Sequence, residues 1–278
     1  MADKTPRSGY APVNGLQLYY EIHGAGEPLV LLHGGLGMTG MFGELLPLLA
    51  QGRQVIAVDL QAHGRTADID RPMRYELMGD DIAALLAHLE IAQADVMGYS
   101  LGGGVALRVA IQHPERVRKL VVVSAPYAMG GWYPEIIAAV GQISGAAAEM
   151  FHGSPMHAFY VAVAPHPEQF PRLLDKMGEL ERQHYDWSAE VAALRVPTLL
   201  VYGDADSVPP AHAAAFFGLL GGGKEDAGWD RAKMPVSRLA ILPGTTHYDI
   251  FASPLLAAVV TPFFDAPLSV ADPIKVQE

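Results

Sequence analysis

A serine inside a glycine-flanked turn is the first feature of this sequence that could do chemistry. Residues 98–102 read G-Y-S-L-G, with Ser100 at the centre, between the apolar run 95–99 and the helically spaced run 101–112. In this strand–turn–helix context the sharp turn lifts the serine hydroxyl above the sheet, at the positive end of the next helix. Such a hydroxyl becomes a nucleophile when a base removes its proton and an acid orients that base. The motif therefore predicts a histidine and a carboxylate at the ends of later strands.

Two late loops supply these residue types. Asp204 and Asp206 follow the apolar run 198–201, and His247 follows the apolar run 239–242. Loops at the carboxyl ends of parallel strands meet at one edge of a sheet, where such folds build their sites. Of the eleven histidines, His247 is the one that ends a late strand-like run, so we predict it to be the base. Both aspartates remain candidates for the acid at this point.

The elements that must position these residues follow from the hydrophobic pattern. Short apolar runs alternate with runs of helical spacing, which is typical of a parallel sheet with helices on both faces. Asn14-Gly15 predicts a tight turn between two antiparallel N-terminal strands. The predicted strands include 16–22, 28–32, 54–60, 95–99, 119–124, 197–202 and 238–242, and the predicted helices include 75–89, 101–112, 211–220 and 253–264.

One long segment interrupts the alternation. Residues 125–187 contain no strand-like run but two or three amphipathic helical stretches, which is too long for one crossover helix. We predict a helical cap over 125–187, inserted between two strands of a core domain formed by 1–124 and 188–278. The cap is rich in aromatic residues, among them Trp132 and Tyr160, which we predict to line an apolar pocket.

Composition excludes several classes of function. The 278 residues include no cysteine, which excludes disulfides, thiolate nucleophiles and cysteine-based metal sites. The formal charge of −11 disfavours nucleic acid and anionic membranes as partners. No apolar run is long enough for a membrane helix, and the first nine residues lack an apolar signal-peptide core, so we expect a cytoplasmic protein. No histidine spacing is diagnostic of a metal site, and we expect no cofactor.

The motifs together resemble those of the α/β-hydrolase superfamily, specifically the capped serine hydrolases that include many bacterial carboxylesterases. The resemblance runs from about residue 10 to residue 264. It implies a mostly parallel eight-stranded sheet flanked by helices, with an inserted helical cap. The motifs that carry it are L-H-G-G at 32–35, D-L-Q-A-H-G-R at 59–65, G-Y-S-L-G-G at 98–103, Y-G-D-A-D at 202–206 and G-T-T-H at 244–247.

This resemblance assigns further roles. Family members carry the acid three residues after the glycine of a G-x-x-D motif, which selects Asp206. The oxyanion hole then uses the backbone N–H groups of Leu101 and Gly35, with Leu36 a lesser candidate. One departure is Ala62, where the family commonly has glycine. Serine at the elbow argues against the haloalkane dehalogenases and epoxide hydrolases of this fold, which use aspartate there.

The expected activity is hydrolysis of a small apolar carboxylic ester through an acyl-enzyme, with Leu36, Tyr99, Trp132 and Tyr160 as candidate pocket residues. The same residues could instead cleave a lactone, an amide or a carbon–carbon bond, because the elbow does not distinguish these bonds. A remote alternative is a ligand-binding receptor on a hydrolase fold. The sequence allows a homo-oligomer and leaves the substrate open.

Overall fold

The computed structural model describes residues 6–267 and shows one eight-stranded sheet with helices on both faces. The strands are β1 (Arg7–Val13), β2 (Leu16–His23), β3 (Glu27–Leu32), β4 (Arg53–Val58), β5 (Ala94–Tyr99), β6 (Val117–Val123), β7 (Thr198–Ala205) and β8 (Arg238–Thr246). The α-helices are α1 (Leu45–Leu49), α2 (Tyr75–His88), α3 (Leu101–Gln112), α4 (Pro134–Val140), α5 (Pro155–Val163), α6 (Phe170–Glu181), α7 (Ser188–Ala193), α8 (Pro210–Leu219) and α9 (Pro254–Asp265).

The sheet has the order β1-β2-β4-β3-β5-β6-β7-β8. β1 and β2 form an antiparallel hairpin, whose turn residues Asn14 and Gly15 have φ values of 48° and 86°. Two consecutive positive φ values are those of the tight hairpin turn that an Asn-Gly pair favours. β2 also pairs antiparallel with β4, and all remaining neighbours are parallel. The predicted mostly parallel eight-stranded sheet is therefore confirmed.

Both faces of the central strands are covered, which is why their sequences are continuously apolar. One buried cluster joins the sheet to α2, α3 and the helices between β6 and β7. A second cluster joins the other face to α1 and α9. Within residues 6–267, no helix is both long and apolar enough to cross a bilayer.

β7 and β8 extend further than the sequence predicts. The predicted strands end at 202 and 242, whereas the observed strands continue to Ala205 and Thr246. Their pairing shifts register between Gly203 and Ala205, after which Ala205 pairs with Thr246. Two of the candidate loops are thus tied together by sheet pairing immediately before Asp206 and His247.

The long segment between β6 and β7 is helical, as predicted. Residues 124–197 carry α4 to α7 and short 3₁₀ helices, with one isolated β-bridge between Ala128 and Asp186. We call residues 124–197 the insertion. α7 lies beyond the predicted cap end at 187 and packs with α8 of the core. The division into a core domain and a cap at 125–187 stays a prediction.

Candidate active site

Ser100 occupies a strained turn between β5 and α3. Its φ of 53° and ψ of −119° lie outside the regions that residues with a side chain ordinarily adopt. Its backbone N–H donates to the carbonyl of Val123 at 2.9 Å, which fixes the turn to β6. A Cβ on Gly98 would lie 1.9 Å from the carbonyl oxygen of Gly102, so the flanking glycines allow the strand and helix to approach. The elbow predicted from the sequence is present, and Ser100 is partly exposed.

A continuous hydrogen-bonded chain begins at the Ser100 hydroxyl. The Oγ atom lies 3.1 Å from Nε2 of His247, and Nδ1 of His247 lies 3.0 Å from Oδ1 of Asp206. Because the Asp206 carboxylate can only accept, Nδ1 carries the proton and Nε2 is left to accept from Ser100. Asp204 is exposed and accepts from the Gly244 N–H at 2.9 Å instead. The structure thus brings Asp206, and not Asp204, to His247.

The Asp206 carboxylate is buried and accepts several hydrogen bonds besides the one from His247. Its Oδ2 accepts from the Ser124 hydroxyl and from the Gly203 N–H at 3.1 Å, and its Oδ1 accepts from the Val208 N–H at 3.3 Å. Burial raises the pKa of Asp206, but the hydrogen bond and charge interaction with His247 and these other donors together lower it below its usual value. The carboxylate therefore stays ionised beside His247.

Ser124 is a site residue that sequence reasoning missed. It ends β6 as Ser100 ends β5, with a φ of 52°, and its N–H donates to the carbonyl of Val201 at 2.9 Å. The available signal was a serine directly after the buried run V-V-V, at the same edge of the sheet. Its hydroxyl holds the acid in place and does not reach the nucleophile.

The His247 loop contacts Tyr99 of β5 and Trp132 of the insertion. The Tyr99 hydroxyl donates to the His247 carbonyl at 2.6 Å, and the Tyr99 ring is buried against Phe251. Tyr99, a candidate pocket residue, thus holds the backbone of His247 through this hydrogen bond. From the insertion, the Trp132 ring lies edge-on to the His247 ring, with centroids 5.5 Å apart. The structure thus brings Trp132 to the site.

Two backbone N–H groups near Ser100 have no acceptor. Within residues 6–267, neither Gly35 nor Leu101 donates its N–H to any protein group. The two residues are neighbours, since a Cβ on Gly35 would lie 3.9 Å from the Leu101 Cβ. The Leu36 N–H, in contrast, donates to Nε2 of His63 at 3.1 Å. Gly35 and Leu101 thus remain the pair able to receive a negatively charged oxygen.

Two buried imidazoles hold the Gly35 loop. Nδ1 of His33 donates to the Gly34 carbonyl at 2.8 Å, and its Nε2 accepts from the Leu60 N–H at 3.0 Å. His63 bonds the Gln61 carbonyl and the Leu36 N–H in the same way. Burial lowers the pKa of His33 to about 4 and, with the neighbouring His33 ring, that of His63 to about 3. Both rings therefore stay neutral and act as backbone clamps.

The remaining pocket candidates differ in their placement. Leu36 is partly buried against the main core cluster, next to Gly35. Tyr160 packs inside the insertion, where its ring lies 5.3 Å from the Phe170 ring and its hydroxyl donates to the His166 carbonyl at 3.4 Å. Met177 of α6 reaches the site instead, because a Cβ on Gly35 would lie 2.8 Å from its Cε. Sequence reasoning could not separate Met177 from an ordinary core methionine.

The chain is similar in sequence to several known hydrolases. A sequence profile of the alpha/beta hydrolase fold matches residues 27–149. The 2-hydroxymuconate semialdehyde hydrolase of Pseudomonas sp. (strain CF600) is 32% identical over 219 residues, which cover 69% of this chain and 74% of that protein. A putative carbamate hydrolase RutD of Azorhizobium caulinodans is 30% identical, covering 78% and 87%. A pimeloyl-[acyl-carrier protein] methyl ester esterase of Neisseria meningitidis is 30% identical, covering 68% and 79%.

Proposed function

This chain belongs to the α/β-hydrolase family, and on that premise we propose that it hydrolyses carboxylic esters through an acyl-enzyme on Ser100. One observation carries the proposal: a hydrogen-bonded chain runs from Ser100 through His247 to Asp206, and Ser100 lies near two backbone N–H groups that have no acceptor within residues 6–267. A nucleophile, its base, the group that orients the base and an oxyanion site are the four parts that acyl transfer requires.

Acylation begins at the Ser100 hydroxyl. Its Oγ attacks the ester carbonyl carbon while Nε2 of His247 takes the hydroxyl proton. The charge of the resulting imidazolium is balanced by Asp206, whose ionised state is favoured by the His247 contact. The carbonyl oxygen becomes negative and accepts from the N–H groups of Gly35 and Leu101. These donors are fixed before the reaction, so they need no reorganisation when the charge forms.

Collapse of the tetrahedral intermediate breaks the bond to the alkoxy group. The imidazolium gives its proton to the leaving oxygen, so an alcohol departs and the acyl group stays on Ser100. Water then occupies the position of the alcohol, His247 takes its proton, and attack on the acyl carbon releases the carboxylic acid. The last proton transfer restores the Ser100 hydroxyl.

The groups around the site favour an apolar ester near the scissile bond. Trp132, Met177 and Leu36 border His247 and the oxyanion pair with apolar surface. The resemblance to a protein named as a methyl ester esterase supports ester chemistry. The resemblance to a protein named as a semialdehyde hydrolase favours one second candidate, cleavage of a carbon–carbon bond with the same residues.

The test is turnover of short p-nitrophenyl esters by the wild-type chain and by Ser100→Ala. We expect the variant to lose about 10³-fold to 10⁶-fold in kcat while its melting temperature stays unchanged. Ser8→Ala, on the exposed edge strand β1, is the matched control and should keep full activity. Turnover by Ser100→Ala within about tenfold of wild type would overturn the nucleophile assignment.

A second measurement separates the two candidate bonds. A small organophosphate should label Ser100 stoichiometrically, which mass spectrometry of the peptide containing residue 100 detects. If Ser100 is labelled but no ester in the series is turned over, the machinery is present and ester hydrolysis is not its activity. Cleavage of a vinylogous diketone by the same preparation would then favour the carbon–carbon candidate.

A further inference from the structure

Glu181 is an acidic residue that the proposed mechanism does not use. It is the last residue of α6, and within residues 6–267 its carboxyl group has neither a hydrogen-bond partner nor an ion-pair partner. It retains accessible surface, yet burial raises the pKa of its carboxyl group to about 7. A partly enclosed ionisable group with a strongly shifted pKa is a candidate for a functional role.

The position of Glu181 on its helix points to the candidate active site. Met177 lies four residues earlier, and side chains four residues apart share one face of a helix, with Cβ atoms about 5–6 Å apart. The Met177 methyl group lies against Gly35, the donor of the proposed oxyanion hole. Glu181 is therefore about one helical turn from the residue that covers the reacting carbonyl.

Aromatic residues near Glu181 also connect it to the candidate active site. The Glu181 carboxylate is close enough to Tyr75 and Tyr185 to raise the pKa of each hydroxyl further, after burial as the main cause. The Tyr185 carbonyl accepts from the Met129 N–H at 3.0 Å, three residues before Trp132, and the Trp132 ring borders His247. The Glu181 carboxyl and the rings of Tyr185 and Trp132 thus lie along one wall that ends at His247.

This wall has the chemistry of a cation site. Tyr185 stacks on Trp187 with centroids 4.3 Å apart, and Tyr75 packs edge-on to Trp187 at 5.3 Å. The buried Tyr75 and Trp187 fix Tyr185, while Tyr185 and Trp132 keep accessible surface. Aromatic faces beside an unpaired carboxylate attract a positively charged group, most strongly when water is excluded.

We propose that Glu181, with the rings of Tyr185 and Trp132, forms a subsite for a positively charged alkylammonium group on the substrate. This inference rests on the proposed function for the position of the scissile carbonyl, and it names a substrate class that the triad alone does not. The same carboxylate disfavours a substrate that carries a negative charge at that distance from its ester bond.

Two isosteric esters test the subsite. One is the p-nitrophenyl ester of 4-(trimethylammonio)butanoate, and the other is that of 5,5-dimethylhexanoate, in which carbon replaces the charged nitrogen. We expect the wild-type chain to prefer the cationic ester in kcat/KM by at least about tenfold. Glu181→Gln should remove this preference while the variant still hydrolyses the neutral ester.

The matched control is Glu179→Gln, which makes the same substitution at an exposed position on the same helix. It should keep the preference, because Glu179 lies outside the proposed subsite. Equal loss of preference in both variants, or the same preference in the wild type and Glu181→Gln, would overturn the subsite. Glu181→Leu should also lose the preference, which guards against a folding defect peculiar to one variant.

A binding measurement separates this inference from the proposed function. Calorimetry with butyltrimethylammonium reads the subsite without any turnover, and we expect Glu181→Gln to bind it at least about tenfold more weakly than the wild type. If neither ester is hydrolysed but this difference is found, the proposed function fails and the subsite stands. If the neutral ester is hydrolysed and no difference is found, the subsite fails alone.

Discussion

The candidate site has two walls that are built in different ways. The strand-end loops (residues 33–37, 59–66, 98–104, 203–208 and 244–248) are fixed by hydrogen bonds that involve the backbone, such as that from the Ser100 N–H to Val123. The insertion instead borders the site with side chains, such as Trp132 and Met177, whose positions depend on packing. The loops supply every group of the proposed chemistry, and the insertion supplies surface.

The insertion is nevertheless attached at a defined point. Lys176 of α6 is buried, and its Nζ donates to Oδ1 of Asp68 at 2.6 Å and to the carbonyls of Ile69 and Arg71 at 2.7 and 2.8 Å. The neighbouring Met177 is thereby held over Gly35. Backbone hydrogen bonds can therefore keep the reacting groups in place while the side chains of the anchored insertion vary.

The largest effect that tests this division concerns the acid. Asp206→Asn should lower kcat by about 10³-fold to 10⁴-fold, because an amide in place of the carboxylate disfavours the tautomer that accepts from Ser100. Asp204→Asn is the matched control, since Asp204 is exposed and, among the described residues, bonds the Gly244 N–H and not His247. Steady-state kinetics beside melting temperatures checks both variants. A larger loss in Asp204→Asn, with both variants folded, would contradict the arrangement.

The second effect concerns the neutral imidazoles of the strand-end loops. A histidine in an unfolded chain titrates near pH 6.5, whereas the folded pKa values of His33 and His63 are about 4 and 3. Between pH 6.5 and 4 the unfolded chain binds protons that the folded chain does not. The free energy of unfolding should therefore fall as the pH falls through this window, by about 1 kcal/mol per pH unit for each ring.

The variant His63→Asn measures the contribution of one of the two rings to this pH dependence of stability. An asparagine side chain does not titrate, so the slope of unfolding free energy against pH should become less steep by about one proton. Urea denaturation at several pH values between 4.5 and 6.5 measures it. The exposed His88→Asn is the control and should keep the wild-type slope. An unchanged slope in His63→Asn would reject the view that a neutral ring clamps this loop.

The strand-end loops could be predicted from the sequence because short motifs of adjacent residues determine them. The elbow around Ser100 and the asparagine–glycine turn at 14–15 are short patterns whose backbone geometry follows from steric limits. The strand and helix pattern gave the parallel sheet, which placed His247 and both aspartates at one edge. The choice of Asp206 came from the family resemblance, and the structure places that residue against His247.

The parts that were missed depend on contacts distant in sequence. Ser124 reaches Asp206 across 82 positions, and nothing near it in sequence indicates that bond. Met177 and Tyr160 look alike from the sequence, as apolar residues at helical spacing, yet only Met177 touches the Gly35 loop. Nothing in the sequence distinguishes Glu181 from a surface glutamate, and its burial becomes visible only in the structure.

The third prediction asks whether the insertion selects substrate. Trp132→Ala should change the order of preference across p-nitrophenyl esters of increasing chain length, because it removes surface beside His247. Each methylene that gains or loses burial changes transition-state binding by about 0.8 kcal/mol, roughly fourfold. Tyr160→Ala is the contrast, because Tyr160 packs inside the insertion. It should lower the melting temperature and scale all esters alike.

Labelling of Ser100 by a small organophosphate should survive both changes, because it needs only the strand-end loops. An unchanged chain-length profile with a lowered melting temperature in Trp132→Ala would reject a selective role for the insertion. If Tyr160→Ala reshapes the profile as strongly as Trp132→Ala, selectivity is spread through the insertion and does not reside in the residues that border the site.

The smallest effect concerns Ala62, where the family commonly has glycine. Its φ of 64° lies in the left-handed region, and its side chain is buried. That conformation costs a residue with a Cβ roughly 1–2 kcal/mol, which glycine avoids. Glycine also makes the unfolded chain more flexible, which costs about 0.4–1 kcal/mol. The change also removes a buried methyl group, which costs about 0.8 kcal/mol, so the two losses offset most of the relieved strain.

Ala62→Gly should therefore change the free energy of unfolding by less than about 1 kcal/mol, a shift of at most about 2 °C in melting temperature. Ala57→Gly, in the extended strand β4, relieves no strain and should destabilise the chain by about 1 kcal/mol. Turnover should stay within about twofold in Ala62→Gly, because the His63 clamp is unchanged. Destabilisation of Ala62→Gly equal to that of Ala57→Gly would mean that the strand-end loop stores no strain at this position.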